Sequence, residues 1–133
     1  TAVSKCSMPF SDAFIKGILC NFLVCIAVWI SFAAKEVVSK IVGLFFPIMM
    51  FVLCGFEHSI ANMYYISSGL FAKTNATYVQ AATDAGVDLT NLTWGNFFSK
   101  NLLPVTLGNI VGGAICVGCA YWFIYLRKAK KAA

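Results

Sequence analysis

The sequence predicts an all-α membrane protein in which three apolar segments cross the bilayer, the middle one as a broken helix. Of the 133 residues, 60% are hydrophobic and only 11% are charged, whereas a soluble domain is nearer half apolar and a quarter charged. Each apolar stretch is long enough to cross a bilayer, and a polar cluster interrupts the middle one. We therefore expect a multi-pass protein of the cell membrane, in contact with the lipid bilayer.

The positive charge of the chain lies mainly at its C-terminus. The formal net charge is +5, and four basic residues follow the last apolar segment: Arg127, Lys128, Lys130 and Lys131. Cytoplasmic flanks of membrane spans are enriched in such residues, so we expect a cytoplasmic C-terminus. No nucleic-acid motif accompanies this cluster, so no nucleic-acid partner is expected. Because the chain begins with Thr1 and without a recognisable signal peptide, we expect a fragment or a processed piece.

The first span is predicted over residues 13–34. This length gives roughly 33 Å, enough to cross a hydrocarbon core of ~30 Å. Lys16, near the start of the span, can extend its ammonium group to the interface. Asn21 and Val24 share one helical face. Asn21 on that face either makes an interhelical hydrogen bond or lines a pore.

The middle apolar block, residues 41–72, is predicted to be a helix broken near 55–61. One straight helix would be about 48 Å long, and the first half alone, about 21 Å, is too short to cross. A non-helical loop at that depth is tolerated only where it lines a cavity or is buried in protein. Pro47 is expected to kink the first half. The second half-helix would direct the positive end of its dipole towards the bilayer centre, which favours an anion there.

The break carries Glu57, His58 and Asn62 in a block that otherwise has no formal charge, and His58 is the only histidine of the chain. Titratable groups at bilayer depth are costly, and by default they mark an ion path, a proton relay or a ligand site. A zinc site needs three or four ligands. Only Glu57 and at most Cys54 stand near His58, so neither a metal nor another cofactor is expected. A membrane-embedded enzyme would need a nucleophile here, and only Ser59 is near, so no catalytic residue is predicted.

Residues 73–101 are predicted to be a polar loop that contains a short interfacial helix with three aromatic residues: Trp94, Phe97 and Phe98. The last span is predicted over residues 102–126. Small residues recur at every fourth position on one of its faces, which predicts close helix packing: Gly108, Gly112, Cys116 and Ala120. Cys116 and Cys119 form a C-x-x-C pattern. Within an apolar helix cysteine acts as a small hydrophobic residue, so packing is predicted there, and not redox chemistry or metal binding.

Three motifs resemble those of the formate/nitrite transporter family in order and spacing. They are Cys-Asn-Phe-Leu-Val at 20–24, Gly-Phe-Glu-His-Ser-Ile-Ala-Asn-Met at 55–63 and Pro-Val-Thr-Leu-Gly-Asn-Ile-Val-Gly-Gly at 104–113. The resemblance covers essentially the whole chain, and it is to the second half of a family member only. It implies an aquaporin-like bundle in which this chain is one of two inverted repeats. The N-terminal half of the same protomer would supply the other repeat, and five protomers would form a homopentamer with one pore through each.

The resemblance also implies roles for seven residues. His58 is similar to the family's central pore histidine, and Glu57 and Asn62 are similar to the polar partners that orient it. The remaining four match in position a hydrogen-bonding asparagine of the fourth span (Asn21), two apolar constriction residues (Phe51 and Val24) and a basic residue near the outer vestibule (Lys16).

These observations predict a channel or transporter for small monovalent anions, with formate, nitrite and hydrosulfide as candidates. His58 would either attract the anion as an imidazolium or lend it a proton, so the flux is expected to depend on pH. Burial favours the neutral ring and Glu57 favours the charged one, and the sequence leaves both open. The alternative is an aquaporin-like channel for small neutral solutes, which would leave the titratable centre unexplained.

Overall fold

The computed structural model describes residues 1–127, which are mostly helical and contain no strand. The helices, in chain order, are α1 (Ala2–Cys6), α2 (Phe10–Ala33), α3 (Val37–Leu53), α4 (Ser59–Ala72), α5 (Ala76–Asp84) and α6 (Trp94–Leu126). Helices α2 and α6 are long and apolar enough to cross a bilayer, and α3 is a shorter apolar helix. Of the predicted basic cluster, Arg127 follows α6 directly, whereas Lys128, Lys130 and Lys131 lie outside the described residues.

Helix α2 begins immediately after Pro9, which separates it from α1. Proline has no backbone N–H and cannot donate to the carbonyl four residues earlier. That carbonyl belongs to Lys5, and it accepts a hydrogen bond from the side chain of Asn101 instead, at 3.1 Å. The break between α1 and α2 is therefore held by a side chain of α6.

The middle segment is a broken helix, as the sequence predicts. Helix α3 ends at Leu53, and α4 starts at Ser59. The residues between them, 54–58, form a non-helical connection that we call the central loop. Pro47 lies inside α3, and the helix continues beyond it to Leu53. The sequence prediction placed the start of the second half two residues later, near Ala61.

The region predicted as a polar loop contains more helix than expected. Residues 76–84 form α5, whose N-terminus is capped by the Asn75 side chain. Helix α6 starts at Trp94 and runs unbroken through the predicted start of the last span. A π-helical stretch, Phe97–Leu102, precedes Pro104. Its wider turns let the helix pass a residue that lacks an N–H donor.

Helices α2 and α6 approach closely because glycine lines both sides of their contact. A Cβ on Gly17 would lie 2.8 Å from the Val105 carbonyl oxygen, and one on Gly112 would fall on the Ile18 carbonyl. The predicted ridge of small residues is therefore only partly correct. Gly108 and Gly112 are buried against α2, whereas Cys116 and Ala120 are exposed.

A compact hydrophobic cluster joins α1, α4, the loop before α6 and the start of α6: Cys6, Ile66, Leu70, Leu92 and Phe97. Phe97 is thus part of the core, while Trp94 and Phe98, which were expected to share its interfacial position, are exposed. At the other end of the molecule, the Trp29 ring packs 4.1 Å from the Tyr121 ring. Helix α3 contains no buried residue, so its apolar surface is available to lipid or to further protein.

Candidate functional site

The central loop turns at Gly55, which adopts a φ of +64°. This left-handed conformation is favourable for glycine and costly for other residues. The turn is closed by a hydrogen bond from the Phe56 amide to the Phe51 carbonyl, at 3.0 Å. The chain then continues in an extended conformation to His58, the N-cap residue of α4. The glycine thus allows the chain to leave one half-helix and enter the next within five residues.

The side chain of Asn109 holds the central loop against α2. Its Nδ2 donates to the backbone oxygens of Gly17 (2.9 Å) and Glu57 (3.0 Å), and its Oδ1 accepts from the Ser59 amide (3.0 Å). The Glu57 amide in turn donates to the Lys16 carbonyl, at 3.3 Å. The sequence analysis did not single out Asn109 as a site residue. Its position as an asparagine on a glycine-rich apolar helix was the available signal.

His58 caps α4 with its own ring. Its Nδ1 accepts a long hydrogen bond, 3.4 Å, from the Ala61 amide. A nitrogen that accepts a hydrogen bond carries no proton, so the neutral ring in this geometry is protonated at Nε2. The ring is half-buried, and its centroid lies 6.1 Å from that of Phe51. Nε2–H is therefore the polar donor that the histidine retains.

Most of the amide groups at the start of α4 are already bonded. The Ser59 amide donates to Asn109 and the Ala61 amide to His58, while the Asn62 amide donates to the His58 carbonyl. Within the described residues, only the Ile60 amide in this first turn has no acceptor. The positive end of the helix dipole remains, as the sequence analysis expected, but few free N–H groups accompany it.

The Glu57 side chain is buried, with 2% of its surface exposed. Its Oε1 lies 2.7 Å from the Lys5 ammonium, and its Oε2 accepts from Asn62 (2.5 Å) and Asn101 (3.3 Å). We call Lys5, Glu57, Asn62 and Asn101 the carboxylate cluster. Because ammonium and amide donors surround both oxygens, the burial of an ionised carboxylate is compensated.

Glu57 and Asn62, predicted to orient His58, make no hydrogen bond with its ring in residues 1–127. The carboxylate cluster instead joins the central loop to α1, α4 and α6. The cluster is connected to the ring only through the backbone, since Glu57 immediately precedes His58. Lys5 and Asn101 were missed by the sequence analysis, because their partners are far away in the chain.

The other predicted site residues lie at several places around the loop. Asn21 donates from Nδ2 to the Asn109 carbonyl at 2.7 Å. The sequence analysis left open whether Asn21 makes an interhelical hydrogen bond or lines a pore, and the structure shows the hydrogen bond. Phe51 lies beside His58, and Val24 is half-buried on α2. Lys16 is half-buried, and its backbone lies level with the central loop. Within residues 1–127, no group of three or more His, Cys, Asp and Glu side chains could hold a metal ion.

The sequence is similar to those of known membrane transport proteins. Residues 1–123 match the sequence model of the formate/nitrite transporter family. The chain is 45% identical over 122 residues to a probable formate transporter of Methanothermobacter thermautotrophicus, covering 92% of this chain and 38% of that protein. It is 43% identical over 130 residues to the formate channel FocA of Escherichia coli K12, covering 96% of this chain and 46% of FocA. The chain thus spans less than half the length of these relatives.

Solved structures agree in fold. A pentameric formate channel with formate bound superposes with a TM-score of 0.81 at 43% identity, covering 94% of this chain and 50% of that one. An ion channel of the same family superposes with a TM-score of 0.74 at 30% identity, covering 92% and 43% respectively.

Proposed function

This chain belongs to the formate/nitrite transporter family, and we propose that its broken helix forms part of a pore for small monovalent anions, formate among them. The observation that carries the proposal is the central loop, where a half-helix begins at a half-buried histidine in an apolar span. Non-helical backbone and a titratable ring are costly at bilayer depth unless they border a cavity. A channel protein, and not an enzyme, is the function that fits the family.

Four features of the site would favour an anion over a cation. The positive end of the α4 dipole faces the loop, and the Ile60 amide is free to donate. The Nε2–H of His58 is a second donor. Apolar side chains at Phe51 and Val24 would strip water from the ion and exclude large or strongly hydrated ones, while Lys16 would raise the local anion concentration. Nitrite and hydrosulfide share the size and charge of formate, and we include them as candidate substrates.

The cap on α4 limits how His58 takes part in proton transfer. The capped ring is neutral and protonated at Nε2, so it can donate a hydrogen bond but has no proton to release without becoming an imidazolate. A transferable proton requires the imidazolium form, whose Nδ1 is a donor and cannot accept from Ala61. The cap must therefore be lost before a charged ring can attract the anion, and before the ring can give the anion a proton.

We place the protein in the cell membrane with its C-terminus in the cytoplasm. Lys35 and Lys40 follow α2 or lie at the start of α3, Arg127 follows α6, and the contact of the Trp29 ring with the Tyr121 and Tyr125 rings brings the ends of α2 and α6 together. The N-terminal half of the same protomer would form the other wall of the pore. A homopentamer is proposed from the likeness to the pentameric formate channel, of which this chain covers half.

Anion flux into proteoliposomes that contain the full-length protein tests the proposal. Formate, nitrite and hydrosulfide are offered at pH values from about 5 to 8, which bracket the ordinary titration of histidine, and flux through empty liposomes is subtracted. We expect small anions to enter, and to enter faster at the acidic end because the imidazolium form is then more populated. His58→Asn should remove this pH dependence, since asparagine keeps a capping side chain and does not titrate.

Two results would count against the proposal. Exclusion of all three anions together with passage of water or glycerol would identify a channel for neutral solutes. A wild-type flux that is flat across the pH range, or a His58→Asn variant with an unchanged pH profile, would remove the role of His58.

A further inference from the structure

Asn101 is fully buried in the first π-helical stretch of α6 and connects four parts of the molecule. Its Oδ1 accepts from Asn62 of α4 at 2.8 Å. Its Nδ2 donates to the Lys5 carbonyl of α1 at 3.1 Å and to the Glu57 carboxylate of the central loop at 3.3 Å. Both of its N–H donors are thus used, and its oxygen accepts one hydrogen bond.

Only an amide satisfies these partners together. The Lys5 carbonyl has no helical donor, because the residue four positions later is Pro9. Glu57 Oε2 and Asn62 Nδ2 bond to each other, and because both are buried, the second lone pair of Oε2 and the second N–H of Nδ2 each need a further partner. Asn101 supplies two donors and one acceptor from one rigid planar group. An aspartate of the same shape would lack both donors. An apolar residue would leave the Lys5 carbonyl without its donor and would remove one of the two hydrogen bonds that each of Glu57 Oε2 and Asn62 Nδ2 makes.

The charge balance around Asn101 also favours a neutral side chain. The carboxylate cluster holds one cation, Lys5, and one anion, Glu57, at 2.7 Å. A second carboxylate at position 101 would have no cation of its own and would lie against Glu57. Among the other titratable or charged groups on the elements around the cluster are Cys6 on α1, Lys16 and Cys20 on α2, Tyr65 on α4 and Lys100 on α6, and His58 follows Glu57 in the central loop.

We propose that Asn101 is a positioning residue of the pore: it holds the Glu57 carboxylate, and through it the central loop that presents His58. This inference rests on the proposed function. Glu57 is held at two places. Asn109 and the Lys16 carbonyl bind its backbone, and the other three members of the carboxylate cluster bind its side chain. A shift of the carboxylate would therefore pull on the peptide that leads directly into His58.

The test is the pH profile of formate flux for Asn101→Asp in the full-length protein. Two neighbouring carboxylates that share one lysine hold on to one proton near neutrality and lose it at higher pH. As that proton leaves, repulsion displaces Glu57, and we expect flux to fall about tenfold below wild type at alkaline pH, the scale of coupling within a hydrogen-bonded network. At acidic pH the loss should be smaller.

A second variant separates positioning from simple loss of folding. The double variant Asn101→Asp with Glu57→Gln exchanges the amide and the carboxylate and returns the cluster to a single anion, so we expect it to recover part of the lost flux at alkaline pH. Recovery is incomplete because an aspartate at position 101 still cannot donate to the Lys5 carbonyl. Asn96→Asp, on the same helix and half-buried with its amide on the Asn91 carbonyl, is the matched control. It should keep the wild-type profile.

The outcomes distinguish this inference from the proposed function. A wild-type protein that passes no anion defeats the proposed function and the inference with it. A conducting wild type overturns the inference alone if Asn101→Asp has the same pH profile, or if the double variant is no better at alkaline pH than the single one. An alkaline loss of flux that the double variant partly reverses supports it.

Discussion

At the scale of single residues, His58 has two tasks that draw on different ring nitrogens. Nδ1 caps α4 through the Ala61 amide, and Nε2 is left for the proposed pore. The cap keeps the ring in one tautomer and one orientation without help from a second side chain. The same residue therefore contributes to the stability of the half-helix and to the proposed chemistry of the pore.

Replacing His58 by alanine should cost stability that replacement by asparagine does not. Alanine at an N-cap lowers the free energy of unfolding by about 1 kcal/mol, whereas asparagine is among the best caps. We expect the His58→Ala protein to unfold in detergent at a lower temperature than His58→Asn. Asn75→Ala removes a side-chain cap from α5, which lies away from the central loop, and should lower stability with no change in flux. Equal unfolding temperatures for the two His58 variants would show that the ring does not stabilise α4.

At the scale of elements, the broken helix depends on a turn that two kinds of anchor keep in place. Gly55 provides the reversal in backbone direction, and Asn109 and the carboxylate cluster hold the residues that follow. A loop of this kind can persist inside an apolar bundle because most of its amides, and both oxygens of the buried Glu57 side chain, have protein partners. Its geometry then determines where the start of α4 points.

Gly55→Ala should strain the loop without a steric clash. A Cβ at Gly55 would meet no atom within 4 Å, so the cost comes from the positive φ alone, about 1 kcal/mol. Gly86 has a φ of +71° and equally open surroundings, in the loop after α5. We expect both alanine variants to lose similar unfolding free energy, and only Gly55→Ala to reduce anion flux. If the Gly55→Ala and Gly86→Ala proteins carry equal flux, the conformation of the central loop does not control conduction.

At the scale of the whole molecule, the long contact between α2 and α6 holds the fold together. Helix α3 packs against α2 but has no buried residue of its own. Large apolar side chains remain exposed on it, among them Phe45, Phe46 and Leu53. The chain covers half the length of one chain of the pentameric formate channel, so in the proposed assembly this surface would face lipid, the other half of the protomer or a neighbouring protomer.

Gly112→Ala should weaken the contact between α2 and α6. Its methyl group would fall on the Ile18 carbonyl, a backbone atom that cannot move aside without moving α2. Overpacking of this kind costs about 1–3 kcal/mol. Gly118→Ala on the same helix meets its nearest atom at 3.5 Å, an ordinary contact, and should be neutral or slightly stabilising because alanine favours a helix. Thermal unfolding of both variants checks the difference, and equal midpoints would mean that the helices can separate at little cost.

The sequence predicted the spans and the broken helix because both depend on local information. The length of an apolar stretch, compared with the thickness of the bilayer, indicates where the chain crosses. A polar interruption such as Glu57-His58 indicates where a crossing must break. The same local patterns misled where polar composition suggested a loop. Residues 76–84 form a capped helix, and the segment from Trp94 joins the last span because the π-helical stretch lets the chain pass Pro104.

The sequence by itself therefore determined the class of this protein, its apolar spans and the place of its polar centre. The tertiary structure decided which polar atoms meet there. Lys5 and Glu57 are 52 positions apart, and Lys5 and Asn101 are 96 apart. Pairings over such distances depend on how α1, α4 and α6 pack together. Burial makes these pairings necessary, because a charged or amide group inside the bundle is tolerated only where the fold brings it a partner.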